Sequence, residues 1–417
     1  MPQQKPSGVF AWIKTYPRLS LFSAALIARL LMAWLIGPGD HGDDDGTYLN
    51  MAEHILKGEG PWTHPMNLEN VRYQSYLPPA MGYLTALCVF FFGRTFDPLR
   101  WPIILLSSLA CLWLAALGER LMGKKGRIAG WIWAFYPPQL FWSTRVNPHA
   151  IATDMLIGLL LLAAKCPKPE KSWQRYVFPS LGGLLWALMT LFRGEYLLAA
   201  GILIVYLGAS CRRLLEPALF ALFLTLGLAP WTVRNWLIHR RFIPISTNFA
   251  RMFWETYHPD YRFSGKEIPF DSATVARLEP MTEIESKQWL MNDALNYVRR
   301  NPGRALYIWA GNMVHFWRPF LTPNAVSIKQ NILYVVSYLP VFALFILGVF
   351  GLPVRKEPLW AAIALIILYK WGIHSGFYMI VRFREAIMPL LMLVASSGLL
   401  RIRDPKDALV KKTTAAD

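Results

Sequence analysis

Ten long apolar runs, almost free of charge, restrict this chain more than any other feature. They lie at 19–37, 101–121, 128–142, 150–165, 176–192, 196–210, 217–233, 329–350, 358–378 and 385–400. A water-soluble core cannot absorb so many, whereas a bilayer requires helices of about 20 apolar residues. With hydrophobic residues at 54% of 417 positions, the sequence reads as an all-α polytopic membrane protein. Two further apolar stretches, 77–93 and 304–320, are shorter and flank polar loops.

The formal net charge is +17. Its Lys and Arg residues gather in short linkers, at 123–127, 165–175, 211–213, 354–356 and the C-terminal tail, rather than on one basic face. That pattern is the cytoplasmic bias of membrane proteins and excludes nucleic acid as the partner. If all these linkers are cytoplasmic, 77–93 and 304–320 do not cross and become juxtamembrane or re-entrant helices. The expectation is then about ten spans with both termini inside. No small-residue cleavage site follows the first run, which therefore reads as a retained helix. Cys88, Cys111, Cys166 and Cys211 lack metal or disulfide spacing and read as inert.

This topology divides the chain into a cytoplasmic N-terminus (1–18), a membrane module (19–233) with a first external loop (38–100), a long external loop (234–328), C-terminal spans (329–400) and a basic tail (401–417). An amphipathic helix is expected over about 284–300 in the long loop, which could close over a site.

The first external loop opens on GDHGDDDGTY (39–48), with four carboxylates among six residues. An EF-hand register with Gly46 at its sixth position would place His41 first and Ala52 twelfth, so it fails. The Asp-x-Asp pattern of nucleotide-sugar enzymes belongs to a soluble doubly wound domain that this chain lacks. One aspartate suffices to cap a helix over 47–57. Adjacent carboxylates repel each other, which raises a pKa and suits a general base.

DDGTYLNMAEHILKGEGPW (44–62) resembles the first external loop of GT-C membrane glycosyltransferases, in particular the aminoarabinose transferase and protein O-mannosyltransferase group. The pattern falls on Asp44, Asp45, Tyr48, Ala52, Gly58 and Trp62, with Asp at 45 where Glu is usual. YLPPAMGYLTALCVFFFG (76–93) is similar to that group's juxtamembrane helix, and STRVNPHAIATD (143–154) to its turn ending in a second Asp, here Asp154. RGEYLL (193–198), APWTVRNWLIHRRFIPISTN (229–248) and VRFREAIMPLLMLVAS (381–396) are similar to bacterial members.

The resemblance implies a GT-C fold of about ten transmembrane helices with juxtamembrane helices, and inverting transfer of a sugar from a polyprenyl phosphate to an acceptor at the extracytoplasmic face. In a bacterial inner membrane the carrier would be undecaprenyl phosphate, and the acceptor a lipid, a glycan or a protein. It implies Asp44 as base, Asp45 orienting the acceptor or a divalent cation, and Asp154 as a further catalytic candidate, whose alternative is a helix N-cap. A departing phosphate needs positive charge, for which Arg382, Arg384, Arg234 and Arg145 are the candidates. Tyr48, Trp62 and Glu195 are candidate sugar or acceptor contacts, and Trp142 or Trp254 could also stack on a sugar; Glu195 could instead pair with Arg193. His41, His54, His64, His239 and His258 lack ligand spacing for zinc, which leaves Asp44 and Asp45 as the metal candidates. Arg29, in the middle of the first run, needs a partner that the sequence does not name. A transporter or flippase would place charges at mid-membrane and show related halves; no internal repeat is visible. A ligase of preassembled glycans would need another motif order, and a scaffold leaves the aspartates unexplained.

Overall fold

The computed structural model describes residues 15–39, 45–65, 68, 70–95, 97–263, 267–321, 326–353, 357–377 and 379–403. Among them the architecture is helical, and the only β feature is a single antiparallel bridge between Thr63 and Tyr73. Seven helices are long and apolar enough to cross a bilayer. They are α1 (Pro17–Ile36), α4 (Asp97–Met122), α7 (Pro148–Lys165), α8 (Gln174–Phe192), α10 (Leu215–His239), α15 (Ile328–Val349) and α16 (Pro358–Ser375). Two more apolar helices, α9 (Tyr196–Cys211) and α18 (Met388–Arg403), are shorter, with 16 residues each.

The run at 128–142 is not one helix. It splits into α5 (Ile128–Ala134) and α6 (Pro137–Trp142) at Pro137-Pro138, with Tyr136 driven into extended geometry as residues before proline are. The stretch at 77–93 forms α3 (Ala80–Phe92), whose 13 residues rise only about 20 Å. The boundary expected at 234 lies inside α10, so Arg234 sits on a helix that continues to His239.

A smaller lobe is built from α11 (Phe249–Thr256), α12 (Ser272–Leu278), α13 (Glu283–Arg300) and α14 (Pro302–His315), whereas α2 (Asp45–Leu56) packs on α3 and, like the short α17 (Val381–Glu385), contributes to the main core. The lobe's own apolar core holds Leu68, Trp254, Tyr261, Leu290 and Ile308. Thr282 and Glu285 form a reciprocal capping box that starts α13.

Within the bundle, α8 and α10 approach through glycine. A Cβ on Gly183 would lie 2.3 Å from the Phe220 carbonyl oxygen, and one on Gly227 would lie 2.6 Å from Ala187 Cβ. Helices in lipid gain little from burying apolar surface, so backbone-close contact of this kind holds them together.

Arg29 finds its partners across the helices. Its Nε donates to Ser107 Oγ at 2.9 Å and its Nη1 to the Ala25 and Ala134 carbonyls at 3.1 and 3.4 Å. Gln139 Nε2 donates to Ser107 Oγ at 3.0 Å and reaches Asp154 Oδ1 at 3.5 Å. Ser107 and Gln139 thus link Arg29 to Asp154, and both residues are fully buried. Asp154 is not the N-cap of its helix: Asn147 is, its side chain accepting from the His149 amide at 2.8 Å.

Removing one member of a buried polar network strands the groups that it leaves behind, whereas removing two strands fewer of them. Arg29→Met is therefore expected to lower stability by about 3 to 5 kcal/mol, and Arg29→Met with Asp154→Leu to recover most of it. Denaturant unfolding in detergent measures both; strictly additive losses would show that the two residues do not act as a pair.

Candidate active site

Asp44 and its neighbours at 40–43 lie outside the described residues. Of Asp45, only the backbone is described, as the first residue of α2. Tyr48, one turn on, is buried. Trp62 is also buried: His54 stacks on it with ring centroids 3.5 Å apart, and the Arg72 guanidinium lies 4.4 Å from its centroid. Its Nε1 donates to Glu59 Oε2 at 3.1 Å. Trp254 is likewise buried, its Nε1 donating to Asp293 Oδ2 at 2.9 Å. Protein groups thus occupy the places on Trp62 where a sugar would stack.

Glu195 is the centre of a buried charge cluster. One oxygen lies 2.5 Å from Lys370 Nζ and 3.6 Å from His374 Nε2; the other accepts from Arg193 Nη2 at 2.6 Å. Tyr369 donates to the Glu195 carbonyl at 2.5 Å. His374 stacks on Phe383 at 4.4 Å, and His149 lies against the same ring at 5.7 Å. Burial opposes ionisation of Glu195, but Arg193 and Lys370 outweigh it and hold the carboxyl well below its usual range. The cluster thus gathers Arg193 and Lys370 around a single carboxylate, Glu195.

Sequence reasoning named Glu195 and Arg382 but missed Lys370, His374 and His149. A signal existed: Lys370 interrupts the apolar run at 358–378, and an ionisable residue there is a functional candidate by default.

The remaining arginines separate. Arg384 is fully buried; its Nη1 donates to the Phe316 and Arg318 carbonyls at 3.0 and 2.7 Å, its Nη2 meets the Tyr334 hydroxyl, and its guanidinium lies 3.8 Å from the Tyr338 ring centroid. Backbone carbonyls and tyrosines take the fork that a phosphate would need. Arg145 is buried in the turn before α7, 5.3 Å from the Phe141 ring centroid. Asp154 belongs to the interior network of Arg29, apart from both arginines.

Arg234 stands at one end of an apolar groove of about 590 Å³ between α3, α8 and α10. Tyr83, Leu84 and Leu87 form one wall, Leu188 and Phe192 another, and Gly227, Pro230 and Trp231 complete the lining. The Tyr83, Leu87 and Leu188 side chains are 40–55% exposed, so the groove opens sideways between helices rather than into the bundle: their exposures are 48%, 55% and 42%. Among the described residues, no three His, Cys, Asp or Glu side chains assemble for a metal.

The carboxylate of Glu195 stabilises the fold above the usual carboxylate pKa of about 4.3, and this contribution is lost as pH falls through its depressed folded value. Glu195→Gln leaves the buried Lys370 and the partly buried Arg193 without a counter-charge. It is expected to cost about 3 to 5 kcal/mol at pH 7 and to flatten the acid side of the stability profile. Thermal unfolding of both proteins from pH 3 to 8 checks this; parallel profiles would count against the cluster.

Comparison with known proteins gives a consistent fold. A family described as dolichyl-phosphate-mannose-protein mannosyltransferase matches residues 77–236. No curated protein matches by sequence. ArnT from Cupriavidus metallidurans bound to undecaprenyl phosphate is similar at 15% identity over 94% of this chain and 77% of that one, with a TM-score of 0.49. The oligosaccharyltransferase of Archaeoglobus fulgidus, tethered to an acceptor peptide, superposes with a TM-score of 0.59 at 14% identity, covering 95% of this chain and 50% of that one. The same archaeal enzyme with an inhibitory peptide and a dolichol phosphate gives 0.54 at 15% identity over 97% and 52%. The chain therefore spans about half the length of the archaeal chains that it matches. The matched family spans α3 to α10, and the archaeal likeness over nearly all of this chain shows that the chain shares the fold of those membrane proteins.

Proposed function

We propose that this protein transfers a sugar from a polyprenyl-phosphate carrier to an acceptor at the extracytoplasmic face of a bacterial inner membrane, both termini lying in the cytoplasm. The observation that carries the reading is the apolar groove ending on Arg234. A groove open between helices suits a prenyl chain arriving from the bilayer, and a guanidinium at its end suits the phosphate that such a chain bears. The archaeal neighbour has been seen with dolichol phosphate, a ligand of that chemistry.

In the proposed reaction, the acceptor hydroxyl oxygen bonds to the anomeric carbon as the bond from that carbon to the phosphate oxygen breaks. The acceptor proton passes to the Asp44 carboxylate, and the electron pair of the broken bond leaves with the polyprenyl phosphate. Inversion follows from attack opposite the leaving group. The phosphate gains negative charge as it departs, so a cation fixed beside it stabilises the transition state more than the ground state. Arg234 fills that role. Arg382, with Lys370 and Arg193, adds positive potential, since Phe192 of the groove wall directly precedes Arg193. Asp45 orients the acceptor or a divalent cation. We assign Asp154 and Arg384 to the scaffold, because both are buried and already engaged.

A deletion strain should accumulate one polyprenyl-phosphate sugar and lose that sugar from one envelope glycan, lipid or protein, which identifies the acceptor by mass spectrometry. Wild type should restore both, and Asp44→Asn at equal expression should fail, its turnover falling by at least about 100-fold. Full complementation by Asp44→Asn would remove Asp44 as base and favour transport of a lipid-linked substrate.

A further inference from the structure

One edge of the Arg234 guanidinium is already taken. Nη1 donates to the Gln74 carbonyl at 2.8 Å, to Ser75 Oγ at 3.1 Å and to Asn235 Oδ1 at 3.1 Å, and Nη2 donates to Gln74 Oε1 at 3.0 Å. A guanidinium has five N–H donors. The Nε hydrogen and the second Nη2 hydrogen make no hydrogen bond among the described residues. Trp231 supports the group from below, its ring centroid 4.6 Å away. Gly60 passes beside it with φ +84°, where a Cβ would lie 3.7 Å from Nη2.

The segment that holds Arg234 is itself held. Glu283, at the start of α13, accepts from the Gln74 amide at 2.6 Å, from the Ser75 amide at 3.2 Å and from Thr247 Oγ1 at 2.6 Å. Ser75 and Glu283 are both buried, and His239 Nε2 lies 3.7 Å from the carboxylate. One carboxylate, reaching over some 208 positions of sequence, therefore ties the Gln74–Ser75 segment to the lobe.

We propose that Glu283 is a positioning residue for Arg234: by anchoring Gln74 and Ser75, it keeps the unoccupied edge of the guanidinium aimed at the phosphate of a lipid in the groove. This rests on the lipid-phosphate reading above. Positioning and simple electrostatics have opposite signs here. Glu283 is an anion whose charge acts on Arg234, so if it worked only through charge, neutralising it would strengthen phosphate binding. If it works through geometry, the same change weakens binding.

The test compares undecaprenyl phosphate with undecaprenol, the same chain without phosphate, for the full-length protein in lipid nanodiscs. The readout is the ratio of the two dissociation constants. Wild type should prefer the phosphate, and Arg234→Ala should abolish that preference. Glu283→Gln and Glu283→Ala should each cut it by about ten-fold, roughly the share of one well-placed charged hydrogen bond, and should add nothing to Arg234→Ala. Thr247→Val, which removes one partner of the carboxylate and no charge, should shift the ratio in the same direction by less. If wild type shows no preference, the lipid-phosphate reading fails and this inference with it. If wild type prefers phosphate and Arg234→Ala does not, yet Glu283→Gln keeps or raises the preference, only the positioning role of Glu283 is overturned. Should neither Glu283 variant fold, an unchanged ratio in Thr247→Val overturns it.

Discussion

A charge removed from water must be met by another, and most of this structure follows from how that demand is satisfied. Hydrocarbon cannot solvate an ion, so Arg29, Lys370 and Arg384 each require partners supplied by other helices. Arg29 meets Ser107 and the Ala134 carbonyl, Lys370 meets Glu195, and Arg384 meets carbonyls of the segment after α14 together with Tyr334. None of these meetings is local. Each fixes the register of one helix against another more sharply than apolar contact can, because a slid helix would leave an ion unmatched.

The same demand separates arginines that look equivalent in sequence. Arg384 is fully buried among carbonyls and tyrosine rings, whereas Arg234 is only partly buried and borders the groove. Five donors on one rigid plane allow this division: one edge can be structural while the other faces a ligand. The polar junction of Gln74, Ser75, Asn235, Thr247 and Glu283 therefore belongs to the groove as much as its apolar walls do. The close crossing of α8 and α10 contributes as well, since Gly227 both permits that approach and lines the groove.

Several features were legible from residue type alone. Apolar runs announced most of the helices and an amphipathic pattern over about 284–300 announced α13, whereas the break of the run at 128–142 at Pro137-Pro138 came only with the structure. The candidate site was legible only in part. Arg234, Arg382 and Glu195 stood out as polar residues beside apolar runs, whereas His149 and His374 did not, because a histidine in an apolar helix carries no mark of the cluster that it joins. Trp62 looked available for a sugar, yet His54 and Arg72 pack against it, and the Thr63–Tyr73 bridge that brings Arg72 back toward Trp62 is specified by no local pattern.

Residue chemistry by itself determined that the chain is a helical membrane protein and carried its resemblance to the GT-C group, since hydropathy over a run and motifs along a loop are local properties. Only the tertiary structure decided which charges are partners and which remain open to a ligand. Arg29 and Ser107 are 78 residues apart, Glu195 and Lys370 are 175 apart, and Ser75 and Glu283 are 208 apart. A hydrogen bond is decided within a few tenths of an ångström, and over such separations only the packed helices set that distance.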